Sequence, residues 1–369
     1  MNTIVQNLFK IFKKNKINFF TGVPDSVLKP LSLYLSNINK KKHIITANEG
    51  GAVSLATGYN LATNKIALVY LQNSGLGNII NPITSMIHKE IYKIPMLLFI
   101  GWRGAPGQPD EVQHNVQGKI TLNQLKLLNI PYKIFNKKNY KKQLLDLIKL
   151  CKKLSKPVAF ILKKKDLEDE KSKKIQHKMV EPNGILRSDF ISELLMKSKN
   201  SRIIATTGFT SRELFQIRKK LKPVNSRDFY MVGAMGHTSM VALGYSLQTK
   251  KKVICLDGDG SFLMHLGSSV ISANYSNKNF KYILLNNNCH ESVGGQPTSM
   301  SKIDVNKFVK SIGYKNYFFL NDKKNIKNTI NFFLKSNETS FLNVEIQKGA
   351  LKNLARINNL LNVKKDFAK

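Results

Sequence analysis

Cysteine is scarce in this 369-residue chain: Cys151, Cys255 and Cys289 are odd in number and lack metal-binding spacing. They offer no disulfide framework and fit a reducing compartment, so a cytoplasmic protein is expected. Apolar runs near the N-terminus are interrupted by Lys10, Lys13, Lys14 and Lys16, which excludes a secretory signal pattern. One uncharged stretch, Ile66 to His88, has the length of a membrane span. It carries Gln72, Asn73, Ser74, Gly75, Gly77, Asn78, Asn81 and Pro82, so it reads as a strand, a Gly-rich loop and a helix. No membrane partner is expected.

Acidic residues are the second shortage. Asp and Glu number 23 against 59 Lys and Arg, a net charge of +36. Such a balance ordinarily points to nucleic acid. Yet only seven of the cations are arginine, and the lysines are spread through helical patterns and the segment 136–176. No zinc-finger spacing, RNA-recognition signature or compact basic arm accompanies them. Asn and Ile are abundant too, as compositional bias from an AT-rich genome would produce. A solvated lysine surface that draws in small anions is therefore the preferred reading, with no nucleic-acid partner.

What the chain does have is two series of alternating strand and helix patterns. In the first, strands are expected at Ile17–Thr21, 43–46, Lys65–Leu71, Pro95–Ile100 and Pro157–Leu162, with helices near 26–38, 50–63, 79–90 and 139–153. The pattern then dissolves into charge, and residues 166–186 read as a linker. The second series places strands at Arg202–Thr206, Asp228–Met231, Lys252–Leu256, Tyr282–Leu285 and Ser340–Ile346. The expected fold is α/β: two doubly wound parallel-sheet domains, 1–165 and 187–369.

The most specific signal lies in the second series. Gly258-Asp259-Gly260-Ser261 follows one apolar strand, and Asn286-Asn287 ends the next, with 25 residues between Gly260 and Asn286. That spacing leaves room for one crossover helix, and a right-handed βαβ unit opens both strand ends on the same edge of the sheet. The Asp259 carboxylate and the Asn287 amide oxygen can converge on a hard cation such as Mg²⁺. The glycines admit a phosphate to the N–H groups of the following helix. In the first series, Glu49 stands alone at the mouth of a small-residue helix that carries no charge from Gly50 to Asn64. An acid favoured by the helix dipole is the plain reading of that residue.

Together these features resemble the thiamine-diphosphate (ThDP) enzymes, in which Glu is followed nine and ten residues later by Gly-Tyr, as Glu49 is by Gly58 and Tyr59. The segments Gly22-Val-Pro-Asp-Ser26, Asn48-Glu-Gly-Gly51, 71–78, Gly101-Trp-Arg-Gly104, 110–114 and 292–298 narrow the resemblance to the phosphonopyruvate decarboxylase family, with the sulfopyruvate decarboxylases beside it. The resemblance implies decarboxylation of a phosphonate-bearing 2-keto acid, 3-phosphonopyruvate, to phosphonoacetaldehyde, as in phosphonate biosynthesis. It also implies ThDP and Mg²⁺ as cofactors, a layout without a central domain, and a homo-oligomer with its active sites between subunits.

Residue by residue, the resemblance implies that Glu49 hydrogen-bonds the cofactor's pyrimidine ring. The loop of Gly233, Met235, Gly236 and His237 would lie under the cofactor. Asp259, Asn287 and the Cys289 carbonyl would hold Mg²⁺. Gly258, Gly260 and Ser261, with Thr210 or Ser211, would face the diphosphate. Asp25, His114 and His290 are candidates for proton transfer, and Ser26, Arg103 and Gln296 for the substrate's phosphonate, with Asp110 and Glu111 positioning His114 and raising its pKa. Two departures stand out. Asn288-Cys289-His290-Glu291-Ser292 replaces the expected Gly-Ala-His-Asp-Ser, and the tail 348–356 is poorer in Arg and Gly than the family's.

Overall fold

The computed structural model describes residues 3–168, 184–221, 228–357 and 359–368. They fall into two compact units, one running to residue 168 and including Val293–Gln296, the other spanning 184 to Ser292 and continuing from Pro297. The linker expected over 166–186 lies largely outside the described residues.

In the first unit, six strands form one parallel sheet: β1 (Phe20–Gly22), β2 (His43–Ile45), β3 (Ala67–Gln72), β4 (Met96–Gly101), β5 (Tyr132–Ile134) and β6 (Val158–Leu162). Their order is β2-β1-β3-β4-β6-β5. The central strands are unbroken apolar runs because both faces are covered, as a parallel sheet requires. Alternate residues serve opposite cores. Leu68, Tyr70, Leu97 and Phe99 pack with the helices Ile4–Lys14 and Tyr140–Leu154. Val69, Leu71, Leu98 and Ile100 pack with Glu49–Thr63 and Leu76–Pro82.

Several local expectations need correction. The helix expected near 79–90 starts at Leu76, and its α form ends at Pro82, followed by a π turn over Ile83–Ile87. Proline within the run removes an N–H from the ladder and crowds the preceding turn, which breaks the regular spacing. The helix expected over 26–38 is confined to Lys29–Leu35. Helix Ile4–Lys14 was not foreseen, although Thr3 and Gln6 form a capping box and Ile4, Val5, Leu8 and Phe12 make a buried stripe.

The second unit repeats the plan. β7 (Arg202–Ala205), β8 (Asp228–Tyr230), β9 (Val253–Gly258), β10 (Phe280–Asn286), β11 (Asn316–Leu320) and β12 (Ser340–Glu345) form a parallel sheet ordered β8-β7-β9-β10-β12-β11. That is the first sheet's order strand for strand. Edge strand β11 was missed because its residues are mostly half-exposed. Among the described residues no helix is long and apolar enough to cross a membrane. Each sheet reverses its winding between its first and third strands, and the crevice outside the carboxyl ends at that point is where ligands bind in open α/β sheets.

Candidate active site

In the second unit, the ends of β7, β8, β9 and β10 feed the loops in which the expected cofactor residues lie. Gly236 has φ +89, and its N–H donates to Ser261 Oγ at 3.0 Å, tying the loop after β8 to the turn after β9. A Cβ there would lie 2.4 Å from the His265 ring, so glycine is required twice over. His237 stacks on that same ring with centroids 4.5 Å apart. A Cβ on Gly260 would lie 3.0 Å from the His290 ring and 3.2 Å from Met235 Cε. Three residues picked from separate motifs, Met235, Gly260 and His290, therefore meet at one point.

Asp259 opens helix Asp259–Met264 and is buried. Its Oδ2 accepts from Thr298 Oγ at 2.7 Å. Burial pushes its pKa up to about 6, against the Thr298 hydroxyl and the positive charge of Arg187. Asn287 Nδ2 donates to Glu291 Oε2 at 3.0 Å, and Asn287 Oδ1 lies 3.2 Å from the Cys289 nitrogen. Asn288 has φ +56, the left-handed region that Asn tolerates better than other non-glycine residues, so the replacement of the expected glycine is accommodated. The Cys289 thiol is raised to about 11 by burial and stays protonated, which leaves its main-chain carbonyl as the donor. A carboxylate, an amide oxygen and a carbonyl are the hard oxygens that Mg²⁺ prefers, so the donor set fits that ion. Among the described residues no group of three or more His, Cys, Asp or Glu side chains is placed to hold a metal ion, so the set rests on an amide and a main-chain oxygen besides the one carboxylate.

Ser211 departs from expectation. Its hydroxyl donates to the carbonyls of Ala205 and Thr206, at 3.1 and 2.6 Å. Its proton is thus held by the end of β7, and Thr210, buried at the start of the same helix after the positive-φ Gly208, is the better diphosphate candidate.

In the first unit, Glu49 heads helix Glu49–Thr63, capped by Asn48, whose Oδ1 accepts from the Gly51 N–H at 2.8 Å. Glu49 is 5% exposed, and its Oε2 accepts from Asn78 Nδ2 at 2.6 Å. Burial raises its pKa, with the Asn78 hydrogen bond opposing. A Cβ on Gly75 would lie 2.4 Å from this carboxyl. Gly75 and Asn78 were missed as site residues, although both stand in the Gly-rich segment 71–78 that carried part of the resemblance.

Three expectations about the first unit change. Asp25 was expected to carry protons at a pocket mouth. It is fully buried instead, its Oδ2 accepting from the N–H groups of Val27 and Leu28 and its Oδ1 from Gln72 Nε2 at 2.6 Å. Both oxygens are engaged at the loop after β1, and burial raises the Asp25 pKa as it does that of Glu49, so Asp25 stays a candidate for proton transfer from within the loop. Asp110 does not serve His114, because Arg103 takes it in a two-pronged pair at 2.8 and 2.5 Å while also donating to Ser26 Oγ at 2.9 Å. Burial would raise the Asp110 pKa, but Arg103 and the N–H groups of Gly104 and Glu111 hold it well below the usual carboxylate range. His114 accordingly moves opposite to expectation. Burial and then the Arg103 charge lower it to about 4, outweighing Asp110. His290 is likewise lowered to about 4 by burial, so both imidazoles are neutral at pH 7.

Gln296 is 2% exposed, and neither its amide nitrogen nor its oxygen has a hydrogen-bond partner among the described residues. A buried amide left unpaired is costly, and a polar ligand would relieve it.

Comparison with known proteins fits this geometry. Residues 2–127 match the family described as thiamine pyrophosphate enzyme, N-terminal TPP binding domain. Residues 206–344 match its counterpart, the C-terminal TPP binding domain. Two such domains in one chain define a thiamine-diphosphate-dependent enzyme. The chain is 29% identical to a phosphonopyruvate decarboxylase of Streptomyces hygroscopicus over 352 residues, covering 91% of this chain and 85% of that protein. It is 27% identical to a sulfopyruvate decarboxylase of Methanosarcina acetivorans over 365 residues, covering 93% and 91%. It is 37% identical to the sulfopyruvate decarboxylase subunit beta of Methanothermobacter thermautotrophicus over 136 residues, 37% of this chain and 71% of that subunit. The chain belongs to the ThDP-dependent decarboxylase family that includes the phosphonopyruvate and sulfopyruvate decarboxylases, and it is a carboxy-lyase.

Proposed function

We propose that the protein decarboxylates 3-phosphonopyruvate to phosphonoacetaldehyde and CO₂ without oxidation, using ThDP and Mg²⁺. The observation that carries the chemistry is the buried Glu49 carboxyl, bound to Asn78 through Oε2 and given room by Gly75. A raised pKa and burial suit a group that must share a proton with a pyrimidine nitrogen rather than with water. When bound, ThDP supplies the electron sink for the bond that breaks as CO₂ leaves.

The chain's own residues position, bind and exclude water. On this reading residues 1–165 form the pyrimidine domain and 187–369 the diphosphate domain, with no central domain between them. Met235, Gly236, His237 and the Gly233 carbonyl line the cofactor's central portion. Gly258, Gly260, Ser261 and Thr210 face the diphosphate, and Asp259, Asn287 and the Cys289 carbonyl hold Mg²⁺. His114 and His290, neutral at pH 7, would pass on the proton that the carbon takes up in place of CO₂ and accept the hydroxyl proton when the aldehyde is released. Arg103 and Ser26, already joined to each other, offer the phosphonate a cation and a hydroxyl, and the unpaired Gln296 amide offers a further contact. The active form is a cytoplasmic homo-oligomer with its sites between subunits.

The test is aldehyde formation from phosphonopyruvate by purified protein, with ThDP and Mg²⁺ supplied or withheld and with sulfopyruvate and pyruvate run alongside. Cofactor-dependent phosphonoacetaldehyde, well ahead of the other products, is expected. Preference for sulfopyruvate would favour the second reading, which the similarity to sulfopyruvate decarboxylases supports. Cofactor binding without turnover of either acid would overturn both.

A further inference from the structure

Buried charge in the second unit does not balance. Arg187, buried at the start of helix Arg187–Lys197, faces two carboxylates: Nη2 is 2.5 Å from Glu291 Oε2, and Nη1 is 3.6 Å from Glu213 Oε1. Its charge is also felt at Asp259. Glu213 Oε2 is buried and has no hydrogen-bond partner among the described residues. Lys348 is nearby but exposed, and water screens it. One guanidinium thus touches two carboxylates, with a third, Asp259, within reach of its charge, so the acids outnumber the cation.

The hydrogen bonds give that imbalance a direction. Glu291 Oε2 accepts from Asn287 Nδ2 as well as from Arg187, and Glu291 Oε1 accepts from the Gly349 N–H. Glu213 Oε1 accepts from the Leu351 N–H at 2.8 Å. An ionised carboxylate can only accept, so Glu291 takes the NH₂ end of the Asn287 amide and turns its oxygen the other way. Which end of the amide faces a cation is set by Glu291 at its nitrogen and by the Cys289 N–H, which donates to Asn287 Oδ1 at 3.2 Å. Arg187 fixes the carboxylate in turn through a charge-assisted bond. The other oxygen of the same carboxylate holds the segment at Gly349, so Glu291 cannot shift without releasing both.

We propose that Glu291 is a positioning residue for the Mg²⁺ site, and that through it cation loading is coupled to the ordering of Gly349–Leu351. The proposal rests on Asp259 and Asn287 being Mg²⁺ ligands. Coupling of this kind is reciprocal: whatever tightens Asn287 tightens the tail segment by the same factor, and the reverse.

The test uses the full chain with saturating ThDP and Mg²⁺ titrated by calorimetry. Glu291→Gln is expected to weaken Mg²⁺ binding about 10- to 100-fold, the usual cost of losing an outer-shell partner. Glu291→Asp is expected to recover part of that loss. In wild-type protein, hydrogen exchange in a peptide spanning 347–354 is expected to slow when Mg²⁺ is added at fixed ThDP, a readout independent of turnover. Should Glu291→Gln not fold, that exchange measurement decides alone. Mg²⁺ affinity unchanged in a folded Glu291→Gln, or exchange at 347–354 indifferent to Mg²⁺, overturns the coupling. Wild-type protein that takes up no Mg²⁺ in the presence of ThDP overturns the metal reading along with it.

Discussion

The two sheets share one strand order and surround their acids differently. In each unit the loops that matter follow the first four strands. The first unit places Asp25, Glu49, Asn78 and Arg103 there, and the second places Thr210, Met235, Asp259 and Asn287. After the second strand of the first unit a lone carboxyl is buried beside an amide and a glycine. After the third and fourth strands of the second unit, carboxylates stand among a hydroxyl, an amide and an arginine. A fold that repeats its topology has thus made one site with a single buried carboxyl and no cation beside it among the described residues, and another where carboxylates gather about an arginine, burial raising Asp259 and Glu213 as it raises Glu49. The first suits a proton shared with a ring nitrogen, the second a cation and a diphosphate.

The comparison can be broken most sharply at its two acids. Glu49→Gln keeps the shape and hydrogen-bonding length of the side chain but cannot give up a proton. Turnover is expected to fall by about 10³- to 10⁴-fold, in the upper range for a general acid–base group, while ThDP affinity stays within a few-fold. Single-turnover CO₂ release beside calorimetric ThDP titration separates the two effects, and retained activity would remove Glu49 from the chemistry. Asp259→Asn should invert the pattern. With a first-sphere carboxylate gone, Mg²⁺-dependent ThDP binding should weaken by at least about 100-fold, more than the loss of an outer-shell partner. Titrating ThDP with and without Mg²⁺ measures this, and equal affinities in variant and wild type would exclude Asp259 as a ligand.

These acids were legible in the sequence because their surroundings were: a strand, a glycine turn and a helix of known span fix where a side chain must emerge. Met235, Gly260 and His290 lie far apart in sequence, yet each could be picked from its own motif, and the structure brings them together. What the sequence could not carry was pairing. Arg103 and Asp110 are both visible, but nothing in spacing says that the guanidinium rather than His114 takes the carboxylate. Asp25 could be read from the sequence as a cap or as a catalytic acid, because both use the same residue type, and only the structure shows its Oδ2 on the Val27 and Leu28 N–H groups. Arg187 had no motif at all, since its meaning depends on Glu213 and Glu291 arriving from distant elements. Edge strand β5, three residues long, fell below what periodicity can resolve.

A smaller effect is expected at Gly75. Its backbone is ordinary helical in sign, so alanine brings no strain of its own, but the new methyl would lie 2.4 Å from the Glu49 carboxyl. Glu49 must then turn away from Asn78. Misplacement of a reacting group by about 1 Å can cost on the order of 100-fold, so Gly75→Ala should lower kcat about 10- to 100-fold with an unchanged melting temperature in the absence of cofactor. Gly77→Ala is the control, because nothing lies within 4 Å of a Cβ there. Equal kcat in the two variants would mean that the Glu49 geometry is not limiting.

The smallest expected effect concerns stability, and it asks whether the isolation of Glu49 costs the cofactor-free protein anything. Burial raises the Glu49 pKa above its ordinary value of 4.5 in the folded chain, whereas the unfolded chain keeps that ordinary value. Between those two values the native state binds more protons than the unfolded state, so the unfolding free energy falls as pH rises through the window and levels off above it. Asp25 and Asp257, also raised by burial, contribute with the same sign, so wild type alone does not isolate Glu49. The difference between wild type and Glu49→Gln does. Cofactor-free Glu49→Gln should show a shallower loss of stability on raising the pH from about 4.5 towards neutrality. At pH 7 it should be the more stable of the two, melting a few degrees higher. Parallel urea-unfolding curves for the two proteins over that pH range would mean that the Asn78 hydrogen bond fully compensates the buried charge. The contrast between the two halves would then lie in geometry rather than in ionisation.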